Sequence, residues 1–244
     1  MSFGSDDHRE VIAIDGPAAA GKSTVARHLA ARLGALLFDT GSLYRALTLA
    51  AMRSNVCTDD GPALARLAEE SEIEVRPANE TDGRLYSVFL HGEDVTWELR
   101  SPVIEQSVSE VAAHPEVRAA LLPHQRRIAG TGAVVMVGRD IGTVVVPDAG
   151  LKIFLRASEH ERAKRRHDEQ RAKGGGLSLE EVLADLRRRD ATDASRETSP
   201  LRRAEDAVSI ETDGLDIHEV VAEIIRHVEA ASLAGPPAHR RPGI

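Results

Sequence analysis

Apolar residues follow two rhythms along this chain. Short, mostly apolar runs at Val11–Ile14, Leu36–Phe38, Ala133–Val137, Leu151–Leu155 and Ala207–Ile210 read as strands buried on both faces. Between them helical spacing takes over. Val25, Leu29 and Leu33 share one face of a predicted helix over Lys22–Leu33, which Gly34 is placed to stop, and Leu43, Leu47 and Ala50 line a second over Ser42–Met52. Strands alternating with helices predict an α/β protein with a doubly wound, five-stranded parallel sheet and helices on both faces.

The rhythm changes between about Ile73 and Glu98. Ile73 and Val75 alternate with acidic residues, Tyr86, Val88 and Leu90 alternate with their neighbours, and Asn79–Gly83 is rich in turn formers. This predicts a small antiparallel β-rich insert. Two helices follow, over Ser101–Ala113 and Pro115–Ala129, with a kink or break expected near Leu122 because Pro123 lacks the donor a helix interior needs. Ser158 with Glu161, Ser178 with Glu181, and Asp216 with Glu219 have capping-box spacing and predict three more helix starts. Gly174–Gly176 interrupts a charged region and reads as a hinge or the tip of a moving flap, while residues 1–10 and the Pro-rich stretch 232–244 read as disordered.

Composition narrows the partners. With 244 residues, 42% hydrophobic and 29% charged, the chain can bury one sizeable core. A net charge of −8 gives no global attraction to nucleic acid or an anionic membrane, and an aromatic content of 3% leaves few platforms for stacking exposed bases. Small phosphorylated ligands fit better, taken up by a monomer. The lone Cys57 excludes an internal disulfide, the polar start lacks a secretory apolar stretch, and no run of 18 apolar residues occurs, so a cytoplasmic location is expected. Arginine outnumbers lysine heavily, so a single Arg says little about phosphate binding.

The most specific signal is the run Gly16, Pro17, Ala18, Ala19, Ala20, Gly21, Lys22, Ser23, Thr24, set between the first strand and the first helix. At ordinary glycine usage a G-x4-G-K-[ST] match arises by chance in roughly one chain of this length in a hundred. Glycines let the backbone wrap phosphate oxygens and the helix N-terminus adds positive potential. Lys22 can reach the β and γ phosphates of ATP, and the Ser23 hydroxyl can ligate magnesium. The segment Asp39-Thr40-Gly41-Ser42-Leu43-Tyr44-Arg45 falls where open α/β sheets bind ligands. Thr40 and Arg45 there suit an acceptor phosphate, or equally a helix cap followed by a solvated arginine.

Taken together, "DTGSLYR", "VGRDIGTVVVPDA" and "RRRDATDASR" resemble bacterial-type cytidylate kinases, collinearly over about residues 11–228. The resemblance implies a P-loop kinase core at about 11–40, 130–157 and 190–231, an acceptor-binding region with the β insert at about 41–129, and a helical lid at about 158–189. It implies transfer of the γ-phosphoryl group of ATP to CMP or dCMP, with magnesium as cofactor. By the same resemblance Ser109, Arg118 and Asp140 read the cytosine edge and Arg189 and Asp193 hold the sugar. Arg45, Arg139 and Arg196 serve the acceptor phosphate and the transferring group, with Arg189 shared, and Arg162 and Arg166 come from the lid to ATP. Asp39 is a candidate for the outer magnesium shell or a helix cap. A carboxylate at 140 can accept from the exocyclic amino group of cytosine, which uracil lacks.

Overall fold

Strand β1 (Val11–Asp15) is buried along its whole length, as a strand covered on both faces must be. Side chains alternate about it. Ile12 and Ile14 face α1 (Lys22–Leu33) and α8 (Ile217–Leu233), in a core with Leu29 and Ile224. Val11 and Ala13 face the opposite side, in a core with Leu43 and Leu47 of α2 (Gly41–Arg53). The computed structural model describes residues 8–78, 80–172, 174, 176–195 and 199–233.

Around β1 stand β2 (Leu36–Asp39), β6 (Val134–Val137), β7 (Leu151–Arg156) and β8 (Val208–Glu211), all parallel, in the order β2–β6–β1–β7–β8. The five-stranded sheet with helices on both faces is the one the apolar runs predict. Strand order diverges to either side of β1, so its carboxyl end opens into the crevice where such sheets bind ligands. The insert forms a three-stranded antiparallel sheet of β3 (Ile73–Pro77), β4 (Tyr86–Leu90) and β5 (Glu93–Asp94), with Ile73 opposite Leu90 and Val75 opposite Val88. Those four residues join the α2 side of the main core, so the insert shares that core rather than building its own.

One helix is absent from the sequence reading. α3 (Gly61–Glu70) begins at Asp60, whose carboxylate accepts from the Ala63 N–H at 2.9 Å, with Pro62 in its first turn. It buries only Gly61, Leu64 and Ala68, a stripe too thin to stand out as a period. After α4 (Pro102–Val111), α5 (Pro115–Ala129) packs along α3. The break expected near Leu122 does not occur, and α5 runs through Pro123. One proline removes one backbone bond, while buried Val117, Leu121, Gln125 and Ile128 hold both halves of the helix in place.

Reciprocal capping boxes open α7 (Leu179–Ser195) and α8. Ser178 and Glu181 exchange bonds of 2.7 and 3.2 Å, and Asp216 and Glu219 of 2.8 and 2.9 Å. At α6 (Glu159–Ala172) only half the box forms. Ser158 Oγ accepts from the Glu161 N–H, but the Ser158 N–H donates to Asp213, and Glu161 pairs with Arg165. Residues 8–10, expected to be disordered, form a 3-10 turn in which buried His8 bonds Asp148 at 3.1 Å. α8 continues to Leu233, past the expected start of the tail at 232, through helix-forming Ala230 and Ala231. Residues 1–7 and 234–244, together with 173 and with 175 of the predicted hinge, lie outside the described residues.

Replacing the Asp60 cap by alanine leaves the Ala63 N–H without its partner. Asp60→Ala is expected to lower unfolding stability by about 1 kcal/mol, read as a lower urea midpoint at unchanged m-value.

Candidate active site

β1 delivers the chain to the carboxyl edge of the sheet, where it must turn sharply. At Gly16 (φ 148°) a Cβ would lie 2.3 Å from the Leu155 carbonyl oxygen, so no other residue fits. Gly21 caps α1 in the left-handed region (φ 87°), and Ala19 is left-handed too (φ 59°). The loop from 16 to 21 thus leads into a helix N-terminus. Lys22 is buried and donates to the Gly16 and Pro17 carbonyls at 2.7 and 2.6 Å. Burial first, then the Arg139 charge, pull its pKa well below the usual lysine range, against the opposing carboxylates of Asp39, Asp15 and Asp193. Ser23 and Thr24 are exposed beside it.

Helix α6 brings arginines to this loop, and α7 a carboxylate. Arg162 of α6 is buried and donates to the Ala18 carbonyl at 3.2 Å and to Asp190 of α7 at 2.5 Å, while Asp190 accepts from the Ala18 N–H at 3.4 Å. Arg166, expected to join Arg162, turns elsewhere. It pairs with Glu169 and lines a cleft of about 690 Å³ between α4 and the α6–α7 pair, together with Ser109, Asp185 and Arg189. Arg165, which the sequence reading passed over, stands 3.8 Å from the position of a Gly21 Cβ and is fixed by bonds of 2.9 and 2.7 Å to Thr212.

The other side of the crevice is built on β2, α2, α5 and the turn after β6. The Thr40 hydroxyl donates to the Val137 carbonyl at 3.0 Å, tying β2 to β6 and making no cap bond to α2. Asp39 accepts from the Gly41 N–H at 3.0 Å, and Arg45 Nε donates to Glu105 at 3.3 Å. Arg118 of α5 donates to Asp140 at 2.8 Å, each side chain 9% exposed, and its guanidinium lies 5.6 Å from the Tyr44 ring centre. The buried Arg118 Nε has no hydrogen-bond partner among the described residues. This pair edges a cavity of about 120 Å³, walled by Tyr44, Leu122, Val144 and Val145. That is well short of the ~300–1,000 Å³ of a drug-sized ligand and suits a single ring.

Arg139 donates to Asp193 at 2.8 Å, close enough to Lys22 for its charge to be felt there. Arg189, one turn before Asp193 on α7, is 44% exposed and pairs with Asp185. It lies with Ser109 in the larger cleft, so these two do not converge on the Arg118–Asp140 cavity. Arg196 lies outside the described residues. A residue missed in the sequence is Asp15. Buried at the end of β1, it accepts from the Ile141 and Gly142 N–H groups at 2.9 and 2.8 Å, in the turn that follows Asp140. Burial raises its pKa to about 6, the two backbone bonds lower it, Asp140 raises it and Lys22 lowers it.

The family model described as cytidylate kinase matches residues 12–230. A cytidylate kinase from Geobacillus sp. (strain WCH70) is 51% identical over 217 residues, covering 89% of this chain and 95% of its own length. One from Herpetosiphon aurantiacus is 52% identical over 214 residues, covering 88% and 92%, and one from Carboxydothermus hydrogenoformans is 49% identical over 214 residues, covering 88% and 95%.

Asp15 also makes a thermodynamic prediction. Its folded pKa lies above the unfolded value, so its contribution to stability is complete below about pH 4 and is lost as pH rises through about 6. Asp15→Asn removes this loss. Urea unfolding from pH 4 to 7 is expected to show the variant gaining on the unaltered protein by on the order of 2–3 kcal/mol across that window; parallel curves contradict it.

Proposed function

The chain belongs to the cytidylate kinase family, and from that premise we propose how its cleft carries out the family's reaction. It is a phosphotransferase that moves the γ-phosphoryl group of ATP to CMP or dCMP, giving ADP and the cytidine diphosphate. The observation that best supports a cytidine acceptor is the Arg118–Asp140 pair beside a ring-sized cavity. Asp140 accepts from the exocyclic amino group of cytosine, and Arg118, whose Nε has no partner among the described residues, donates to the ring carbonyl and N3. Uracil offers a carbonyl where cytosine offers that amino group, so UMP leaves a desolvated acceptor unmatched at a cost of about 1–3 kcal/mol.

Residues 16–24 cradle the donor phosphates, with Arg162, Arg165 and Arg166 on the lid side. Arg45, Arg139 and Arg196 serve the acceptor phosphate, and Asp193 and Arg189 the sugar, Ser109 joining them at the acceptor. Arg189, Ser109 and Arg166 line one cleft, which supports their acting together where the lid meets the acceptor region. The attacking oxygen belongs to a phosphate already anionic at neutral pH, so no general base is needed. Rate enhancement comes from alignment, from charge neutralisation by Lys22 and the arginines, and from exclusion of water.

Magnesium suits the donor set here, since it is held by few protein oxygens together with substrate phosphates. The exposed Ser23 hydroxyl and the Asp39 carboxylate, which gives one oxygen to the Gly41 N–H, would hold it directly and through water. When bound it neutralises phosphate charge. We also propose a monomer acting on free nucleotides in the cytoplasm. The net charge of −8 and the single cysteine support that, and among the described residues no helix is long and apolar enough to cross a membrane.

A coupled assay of ADP formation with CMP, dCMP, UMP, AMP, shikimate or no acceptor tests this reading. Turnover with CMP and dCMP well above UMP is expected; activity on shikimate, or without an acceptor, and none on either cytidine nucleotide, would reject it. In calorimetry Asp140→Ala is expected to weaken CMP by about 10- to 100-fold and leave ATP nearly unchanged; equal losses for both would remove Asp140 from the base site.

A further inference from the structure

Asp140 precedes a single π turn, Ile141–Val145, which is a rare and poorly self-satisfied conformation. Inside it the Asp140 carbonyl accepts from both the Val144 and Val145 N–H groups, at 2.9 and 3.2 Å. The leading N–H groups and trailing carbonyls of such a short turn need partners from elsewhere. Asp15 takes the Ile141 and Gly142 N–H groups, one on each carboxylate oxygen. At the far end the Arg126 fork donates from Nε to the Val145 carbonyl at 2.9 Å and from Nη2 to the Val144 carbonyl at 3.0 Å.

We infer that Asp15 and Arg126 are positioning residues for cytosine recognition, a carboxylate and a guanidinium that grip the two ends of the Asp140 turn and set its carboxylate against Arg118. The inference rests on the proposed role of Asp140. Arg126 and Arg118 lie on α5 two turns apart, so one helix supplies both the partner of Asp140 and an anchor of its turn. Val144 and Val145, whose carbonyls Arg126 holds, also wall the base cavity. The opposite end admits no bulk: a Cβ on Gly142 would come within 3.0 Å of Lys152 Cδ and 3.5 Å of the Asp15 carboxylate. Neither Asp15 nor Arg126 lines the base cavity, so each acts through the turn.

Asp15→Asn keeps one acceptor and loses the other, and Arg126→Gln, on an exposed side chain, loses the fork without disturbing the core. In the full chain each is expected to raise the calorimetric Kd for CMP about fivefold or more. Kd for ATP and for UMP should stay within about twofold, so discrimination between CMP and UMP falls. Arg126→Lys, which restores one bond, should recover part of it. Both variants binding CMP like the unaltered protein, or weakening CMP, UMP and ATP alike, overturns the inference. An Asp15→Asn chain that fails to fold leaves the decision to Arg126→Gln. If the unaltered protein does not bind CMP, the proposed function fails instead, and amide exchange still tests the grip itself. Ile141 and Gly142 should then exchange about tenfold faster or more in Asp15→Asn, and unchanged exchange overturns it.

Discussion

Asp15, Lys22, Asp140, Arg162 and Asp193 are all more than nine-tenths buried, and all belong to the candidate site at the carboxyl edge of the sheet. An unpaired ion in such a place costs several kcal/mol, so each has to find a counter-charge or a set of backbone dipoles. Lys22 folds onto two carbonyls, Asp15 onto two amides, Asp140 onto Arg118, Arg162 onto Asp190 and Asp193 onto Arg139. These pairings cross between the strands, the loop at 16–21 and helices α6 and α7. The apolar sheet below provides the adhesion, and the polar layer above determines how its loops are arranged.

That layer is a compromise between stability and use. An ionised Asp15 is costly where it sits, which is why its pKa climbs to about 6. Ionised, it is also the group able to take two N–H donors at once. Active sites commonly hold such groups at the expense of the stability an apolar or neutral replacement would give. Arg118 shows the same tension, since its buried Nε carries a donor that no atom of the described residues satisfies.

The sheet was legible because strands covered on both faces must be mostly apolar, and the turn at 16–21 because so tight a strand-to-helix turn demands glycine at fixed places. Arg118 and Asp140 were assigned through family resemblance, and the structure places them in contact. What escaped notice depends on partners remote in sequence. Asp15 looks like a turn residue ending an apolar run, and its partners stand 126 and 127 positions away. The Ser158 box fails because Asp213 takes the N–H that Glu161 was expected to receive. Spacing on α6 could pair Arg162 with Arg166, yet Arg162 turns inward to Asp190 while Arg165 is drawn to Thr212 after β8. α3 stayed hidden because Asp60-Gly61-Pro62 reads as a turn, and its buried stripe is so narrow.

Gly16 rests against the Leu155 carbonyl of β7, a contact no side chain mediates. The floor of this loop is therefore main chain, and its place beside β7 follows from the lateral spacing of hydrogen-bonded strands, about 4.8 Å, which point substitutions do not change. Substitutions along β7 reach the loop only through the packing of buried Ile153 and Leu155, whereas any side chain at Gly16 meets the backbone directly, so mutational tolerance around this loop should be uneven from one residue to the next.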